Sequence, residues 1–195
     1  MAKIKAIHAR EILDSRGTPT VETTIWSDDD HGASSSVPSG ASTGRLEAVE
    51  LRDGDPNRFQ GMGVLKAVEN VNNIISKYVV GQDPVKQNSL DQILLNLDGT
   101  ANKSKLGSNA ILSVSQAVCE LGALVYNLQT YQYLAEKYAL AKPSSKRLPT
   151  PIFNVINGGK HGAGNLDFQE FHLIPSSQVD FKKALEIGGE IYHAL

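Results

Sequence analysis

The sequence predicts an α+β domain, a three-stranded antiparallel meander followed by helices, and after it the opening strands and helix of a second domain. Three observations carry that reading. Polar and apolar residues alternate in short runs as far as Val37, apolar residues recur at helical spacing from Leu46 to Tyr138, and Lys142-Pro143-Ser144-Ser145-Lys146-Arg147-Leu148-Pro149 has the proline, serine and charge content of a linker. The first domain is therefore placed at 1–141, the linker at 142–149 and the second domain at 150–195.

Residues 3–9 alternate weakly, and Thr20 to Trp26 alternates clearly, with Val21, Thr23 and Ile25 on one face. Ser27-Asp28-Asp29-Asp30-His31-Gly32 reads as a turn into a third strand, Ala33 to Val37. The three Asp lack the alternating ligands and later Glu of a calcium loop, so they read as a solvated hairpin turn. From Leu46 the pattern turns helical, with Val64, Val68, Val71, Ile75 and Tyr78 on one face. Asp83-Pro84 supplies an N-cap and first-turn proline for a helix with the stripe Leu90, Ile93, Leu94 and Leu97, closed by Asp98-Gly99. Ser108 to Tyr126 is small and apolar almost all round, which suits a buried helix capped by Ser108. A shorter helix capped by Thr130 carries Tyr131, Leu134, Ala135 and Tyr138. Beyond the linker come strands at Ile152 to Ile156 and Glu170 to Ile174. A helix follows from about Asp180 with Phe181, Ala184, Leu185, Ile187 and Ile191 apolar. No stop signal stands at Ala194-Leu195, so that helix is expected to be cut short.

Composition removes several functional classes. With 41% apolar residues the chain has an ordinary globular proportion, and a net charge of −2 with both signs interspersed offers no basic stripe for nucleic acid. No apolar run approaches the roughly 18 residues of a membrane span, and the start shows no signal-peptide core, so the expected compartment is the cytoplasm. Cys119 is the only cysteine and sits among apolar neighbours, which excludes an intrachain disulfide and suggests a buried thiol.

Two segments carry chemistry. Pro38-Ser39-Gly40-Ala41-Ser42-Thr43-Gly44-Arg45 is a small-residue loop whose amides and hydroxyls can approach an anion or metal. It is not a P-loop, since its glycines are too close and Arg45 stands where Lys is needed; read alone, it serves equally as a strand-to-helix connection capped by Thr43. Asn157-Gly158-Gly159-Lys160-His161-Gly162-Ala163-Gly164-Asn165 is a glycine-dense loop presenting His161 and leading into a strand that begins with Gln169 and Glu170. A surface histidine and a strand-edge glutamate satisfy the same pattern. Neither Gly61-x-Gly63 nor Gly162-x-Gly164 completes a dinucleotide fingerprint, because Lys66 and Asp167 occupy the third glycine position.

Taken together and in order, these segments resemble the enolase family. Ala9 to Glu22 is similar to its opening signature, Pro38 to Glu47 to its active-site loop, and Leu106-Gly107-Ser108-Asn109-Ala110-Ile111-Leu112 and Asn157-Gly158-Gly159-Lys160-His161 with Gln169-Glu170-Phe171 complete the match. The resemblance covers essentially the whole chain. Gly162 departs from the usual alanine, as does Ser108, and His172 stands where methionine is usual.

The resemblance implies a fold and a reaction. The second domain would be the first elements of an incomplete α/β, TIM-like barrel, since the stretch after Arg147 is far shorter than the ~250 residues of a complete one. The reaction would be reversible dehydration of 2-phosphoglycerate to phosphoenolpyruvate with two Mg²⁺ ions per complete site. Ser42 would ligate the second ion as its loop closes, with Ala41 and Ser42 near substrate. His161 would lie beside the substrate, Gln169 would contact it, and Glu170 would support the acid end of the reaction. The base lysine, principal acid and first-site carboxylates of the family lie further along a complete enolase, so a fragment inactive alone is expected. A homodimer or octamer is implied for the complete enzyme, with the Arg10-to-Arg16 region in the contact. Secondary display at cell surfaces is a family trait. The competing readings are a non-catalytic binding or structural module derived from enolase, and a racemase or cycloisomerase relative, which lacks these two loops together.

Overall fold

Short alternating runs fold into a meander: β1 (Ile4–Leu13), β2 (Pro19–Ser27) and β3 (Gly32–Ser36) form one antiparallel sheet in the order β1-β2-β3. The structure, a computed structural model, describes residues 2–40, 44, 46–138, 148–159, 162, 164 and 166–195. It divides into two units, Met1–Ala141 and Lys142–Leu195. The sheet belongs to the first. Val21, Thr23 and Ile25 of β2 are buried as their alternation predicts, with Ala33 and Ser35 of β3 beside them. The weak pattern of β1 has a cause: a bulge between Ile4 and Ala6 switches the inward face, so Ile4 and then Ala9 point inward. The outer edge of β1 is closed by a side chain. Asn72 accepts from the Ala9 amide at 2.8 Å and donates to its carbonyl at 3.0 Å, as a neighbouring strand would.

Helices cover the inner face of the sheet. The first begins at α1 (Leu65–Glu69), widens into a π-helical segment over Asn70–Ile75 and ends as α2 (Ser76–Val79). Val64, Val68, Val71 and Ile75 are buried as predicted, but Tyr78 is half-exposed and Val79 is buried in its place. The wider π turn accounts for this, because it keeps residues four apart on one face and brings Val79 under Ile75. No helix forms between Leu46 and Arg58; that stretch is extended and turn-like.

The next helix, α3 (Gln87–Asp98), starts later than its Asp-Pro pair suggests. Asp83 instead accepts from the Val85 amide at 3.1 Å and shapes a turn ahead of the helix. Leu90 and Leu94 are buried, and Gly99 ends the helix in the left-handed region at φ 69°. α4 (Ser108–Val125) is capped by Gly107 at φ 96°, with Ser108 as its first residue. It is long and apolar enough to cross a membrane by length and composition, yet it lies against β2, β3 and α3 with Ala110, Val114, Ala117, Val118 and Leu121 in the core. Within that core the Thr23 and Ser113 hydroxyls pair at 2.7 Å, which satisfies both. α5 (Thr130–Lys137) is capped by Gln129 through a capping box with Gln132, not by Thr130. Its buried residue is Tyr133, while Tyr131 and Tyr138 are exposed; the ring of Tyr133 lies where Gly122 presents no side chain.

The second unit holds β4 (Phe153–Asn157), β5 (Glu170–Leu173) and α6 (Phe181–Ala194). The strands pair antiparallel and directly, unlike the parallel, helix-separated strands of an ordinary barrel. Asp180 caps α6 by accepting from the Lys183 amide at 2.8 Å. Ala184 and Gly188 are buried, whereas Leu185 and Ile191 of the expected stripe are exposed. A Cβ on Gly188 would overlap the Phe153 ring, so the glycine lets the strand pack flat on the helix.

Candidate functional site

Each unit contributes one candidate segment. In the first, β3 ends against β2: the Val37 amide donates to the Val21 carbonyl at 3.0 Å, and the Thr20 hydroxyl donates to the Val37 carbonyl. Pro38 then turns the chain out of the sheet. Ser39 and Gly40, the next residues, are held from two directions.

On one side stands Asp14, just past β1. One carboxylate oxygen accepts from the amides of Arg16 and Thr18, both at 2.8 Å. The other accepts from the Ser39 hydroxyl at 2.6 Å and from the Arg16 guanidinium at 3.1 Å. Arg16 also donates to the carbonyl and hydroxyl of Ser39, each at 2.9 Å. The Ser39 hydroxyl first, and then the Thr18 amide, hold the Asp14 carboxyl far below the usual carboxylate range. On the other side, Glu50 accepts from the Gly40 amide at 2.7 Å and pairs with Arg52. Arg52 is fixed in turn by the carbonyls of Pro19 at 2.6 Å and Met62 at 2.8 Å. A cleft of about 530 Å³ lies beneath, lined by Pro38, Gly40, Glu47, Glu50, Arg52 and Asn109 among others. The chain that follows is tied down again: Val49 donates to the Asn102 carbonyl at 2.8 Å and accepts from the Ser108 amide at 2.8 Å. Ala41 and Ser42 lie outside the described residues.

In the second unit the glycine-dense loop is the β4–β5 connection. Its base continues the ladder, with the Gly158 amide donating to the Gln169 carbonyl and the Gly159 amide to the Leu166 carbonyl, both at 2.9 Å. A Cβ on Gly158 would overlap the Phe168 carbonyl oxygen, so only glycine fits there. Gly159 and Gly164 stand in the left-handed region at φ 57° and 80°. His161 lies outside the described residues. Gln169 and Glu170 are exposed at the entry to β5, and Glu170 pairs across the ladder with Asn157. The Glu170 carboxylate sits 2.9 Å from Nε2 of His172, two residues along the same strand face. Both side chains are half-exposed, which limits such a pair to at most ~1 kcal/mol.

Asp14, Glu50 and Arg52 were not legible as site residues in the sequence. Asp14 lies inside the opening signature, but nothing local marks Glu50, whose partner Gly40 is ten residues away. Among the described residues no group of three His, Cys, Asp or Glu is assembled that could hold a metal ion.

Comparison with known proteins gives two family-model matches and a relative. Residues 4–134 match the model described as the enolase N-terminal domain, and residues 145–195 match that of the enolase C-terminal TIM barrel domain. Enolase B of Dictyostelium discoideum is 52% identical over 192 residues, which is 98% of this chain and 42% of that protein. The chain thus spans less than half the length of the curated relative it matches. The fold is that of the matched domains: a three-stranded antiparallel sheet with helices, then the start of the barrel domain.

Proposed function

Because this chain belongs to the enolase family, we propose that it supplies the amino-terminal share of a phosphopyruvate hydratase, which dehydrates 2-phosphoglycerate to phosphoenolpyruvate in glycolysis and its reversal. One observation carries the reading: a single alignment at 52% identity runs through both candidate segments and 98% of the chain. The proposed domains are 1–141, a linker at 142–149 and the start of the barrel at 150–195. The linker's residues 142–147 lie outside the described residues.

Mg²⁺, when bound, would stabilise the doubly charged carboxylate left once the α-proton is removed, the ene-diolate that enolase-superfamily sites form with a Lys or His base. The described side chains do not by themselves make a magnesium site. This chain's own share is narrower. Ser42 offers a hydroxyl ligand to the second ion, and Ala41 and Ser42 border the substrate. His161 and Gln169 contact the substrate, and Glu170 lies at the acid end, near the departing hydroxyl. By the family resemblance, the base lysine, principal acid and first-site carboxylates would be supplied by a later part of a complete enzyme. The chain alone is therefore proposed to be inactive, and the complete enzyme to be a cytoplasmic homodimer or octamer. A non-catalytic binding role, with cell-surface display, is the alternative that an inactive complete protein would favour.

The test is a chimera in which this chain is continued by the remainder of the Dictyostelium relative. Mg²⁺-dependent turnover of 2-phosphoglycerate is expected, with losses of about a hundredfold or more in Ser42→Ala and His161→Ala. A chimera that folds but does not turn over, or one indifferent to both substitutions, would contradict the reading.

A further inference from the structure

The strand pair of the second unit carries a reactive dipeptide that the candidate site does not use. Of the chain's asparagines, only Asn157 is followed by glycine. In such a pair the backbone nitrogen of the glycine can close on the asparagine side-chain carbon, because no Cβ stands in the way. Two features of β4 and β5 act on that step in opposite senses.

The first favours it. Residues three apart on a regular strand point to opposite faces, but the irregularity between Asn154 and Ile156 adds a residue and resets the alternation. Asn154 and Asn157 therefore share the face of His172 and Glu170, their partners on β5. The Asn154 amide donates from Nδ2 to Oδ1 of Asn157 at 2.7 Å. A donor there polarises the carbonyl and stabilises the negative charge that Oδ1 takes up as a nucleophile adds to Cγ. The second feature opposes it. The nucleophile is the Gly158 nitrogen, and only once its proton has left. That N–H is donated to the Gln169 carbonyl at 2.9 Å, and Gly158 is buried against Leu166 and Phe168. A nitrogen held in the ladder is turned away from the side chain of the residue before it.

We propose that Asn157-Gly158 is a site of spontaneous deamidation, primed by the Asn154 amide and held in check by the Gly158–Gln169 hydrogen bond, so that opening of the β4–β5 ladder converts Asn157 irreversibly to an acid. The reaction balances with water alone. Hydroxide takes the Gly158 amide proton and the nitrogen bonds to Cγ of Asn157. The Cγ–Nδ2 bond then breaks and ammonia leaves, giving a cyclic imide. Water opens the ring at either carbonyl, leaving an aspartate or, with the backbone rerouted through the side chain, an isoaspartate. Either product places a carboxylate opposite Glu170, and like charges facing each other across a ladder weaken it. The site is independent of the enzymatic reading.

Deamidation and hydrogen exchange at Gly158 need the same opening and the loss of the same proton, so their rates should move together. The test incubates the 195-residue chain at neutral and mildly alkaline pH. Conversion at each asparagine is followed by peptide mass spectrometry, and amide exchange at Gly158 is measured in parallel. Asn157 is expected to convert ahead of every other asparagine, and about tenfold faster or more once urea opens the ladder, the effect of at least one lost hydrogen bond. Asn154→Ala is expected to slow conversion about threefold relative to Gly158 exchange, since it removes only the donor to Oδ1. Asn157→Asp, which carries the product's charge from the start, is expected to raise Gly158 exchange about threefold. Conversion led by another asparagine overturns the site, and conversion of Asn157 no faster in urea than in the folded chain overturns the check by the ladder. An unchanged ratio of conversion to exchange in Asn154→Ala overturns the priming role of Asn154.

Discussion

Asp14 concentrates several roles in one carboxylate: it closes its own turn, orients Arg16 and receives Ser39. Its native pKa lies below the ordinary 3.8, so the unfolded chain binds the proton first. The stability it contributes is complete above the ordinary value and drains away as pH falls from there toward the depressed native one. Urea midpoints across acid pH should therefore fall more steeply below about pH 4 in the parent than in Asp14→Asn, which starts lower at neutral pH. At the other candidate segment, Gly158→Ala would drive a methyl into the Phe168 carbonyl. That substitution should cost about 2 kcal/mol or more and deprotect the Gly159 amide, as read by hydrogen exchange. A glycine-dense loop was visible in the sequence because such density has few other causes. Which glycine is sterically obligatory was not, since that depends on a carbonyl ten residues further along.

Element boundaries follow the same division. The β2 face, the α4 core helix and the Gly99 stop were legible because period, composition and a left-handed glycine act locally. β1 was obscured by its bulge, and the Tyr78 assignment failed because a π turn shifts the helix face by one residue. Caps were misassigned where tertiary contacts decide: Ser108 yields to Gly107, and Thr130 to Gln129. The π shift has a direct check. Val79→Ala should cost about 2 kcal/mol, the value of a fully buried valine, whereas Tyr78→Ala on the half-exposed side should cost under about 1. A larger cost for Tyr78→Ala than for Val79→Ala, measured by denaturant unfolding, would mean that the predicted α-helical face is the true one.

At the scale of the molecule, the sequence pointed to the family through motif order, which no single motif could have done. The match of both domain models in sequence agrees with it. The contacts around Ser39 and Gly40 were hidden because Asp14 and Arg16 on one side and Glu50 on the other come from separate segments that only the fold brings together. The central claim is that this chain holds the loops of a phosphoglycerate site and needs the remainder of the barrel to act. Phosphoenolpyruvate formation from 2-phosphoglycerate by the purified 195-residue chain tests it most directly, with and without a chelator. No product is expected in either case; chelator-sensitive formation of phosphoenolpyruvate by this chain alone would contradict the claim.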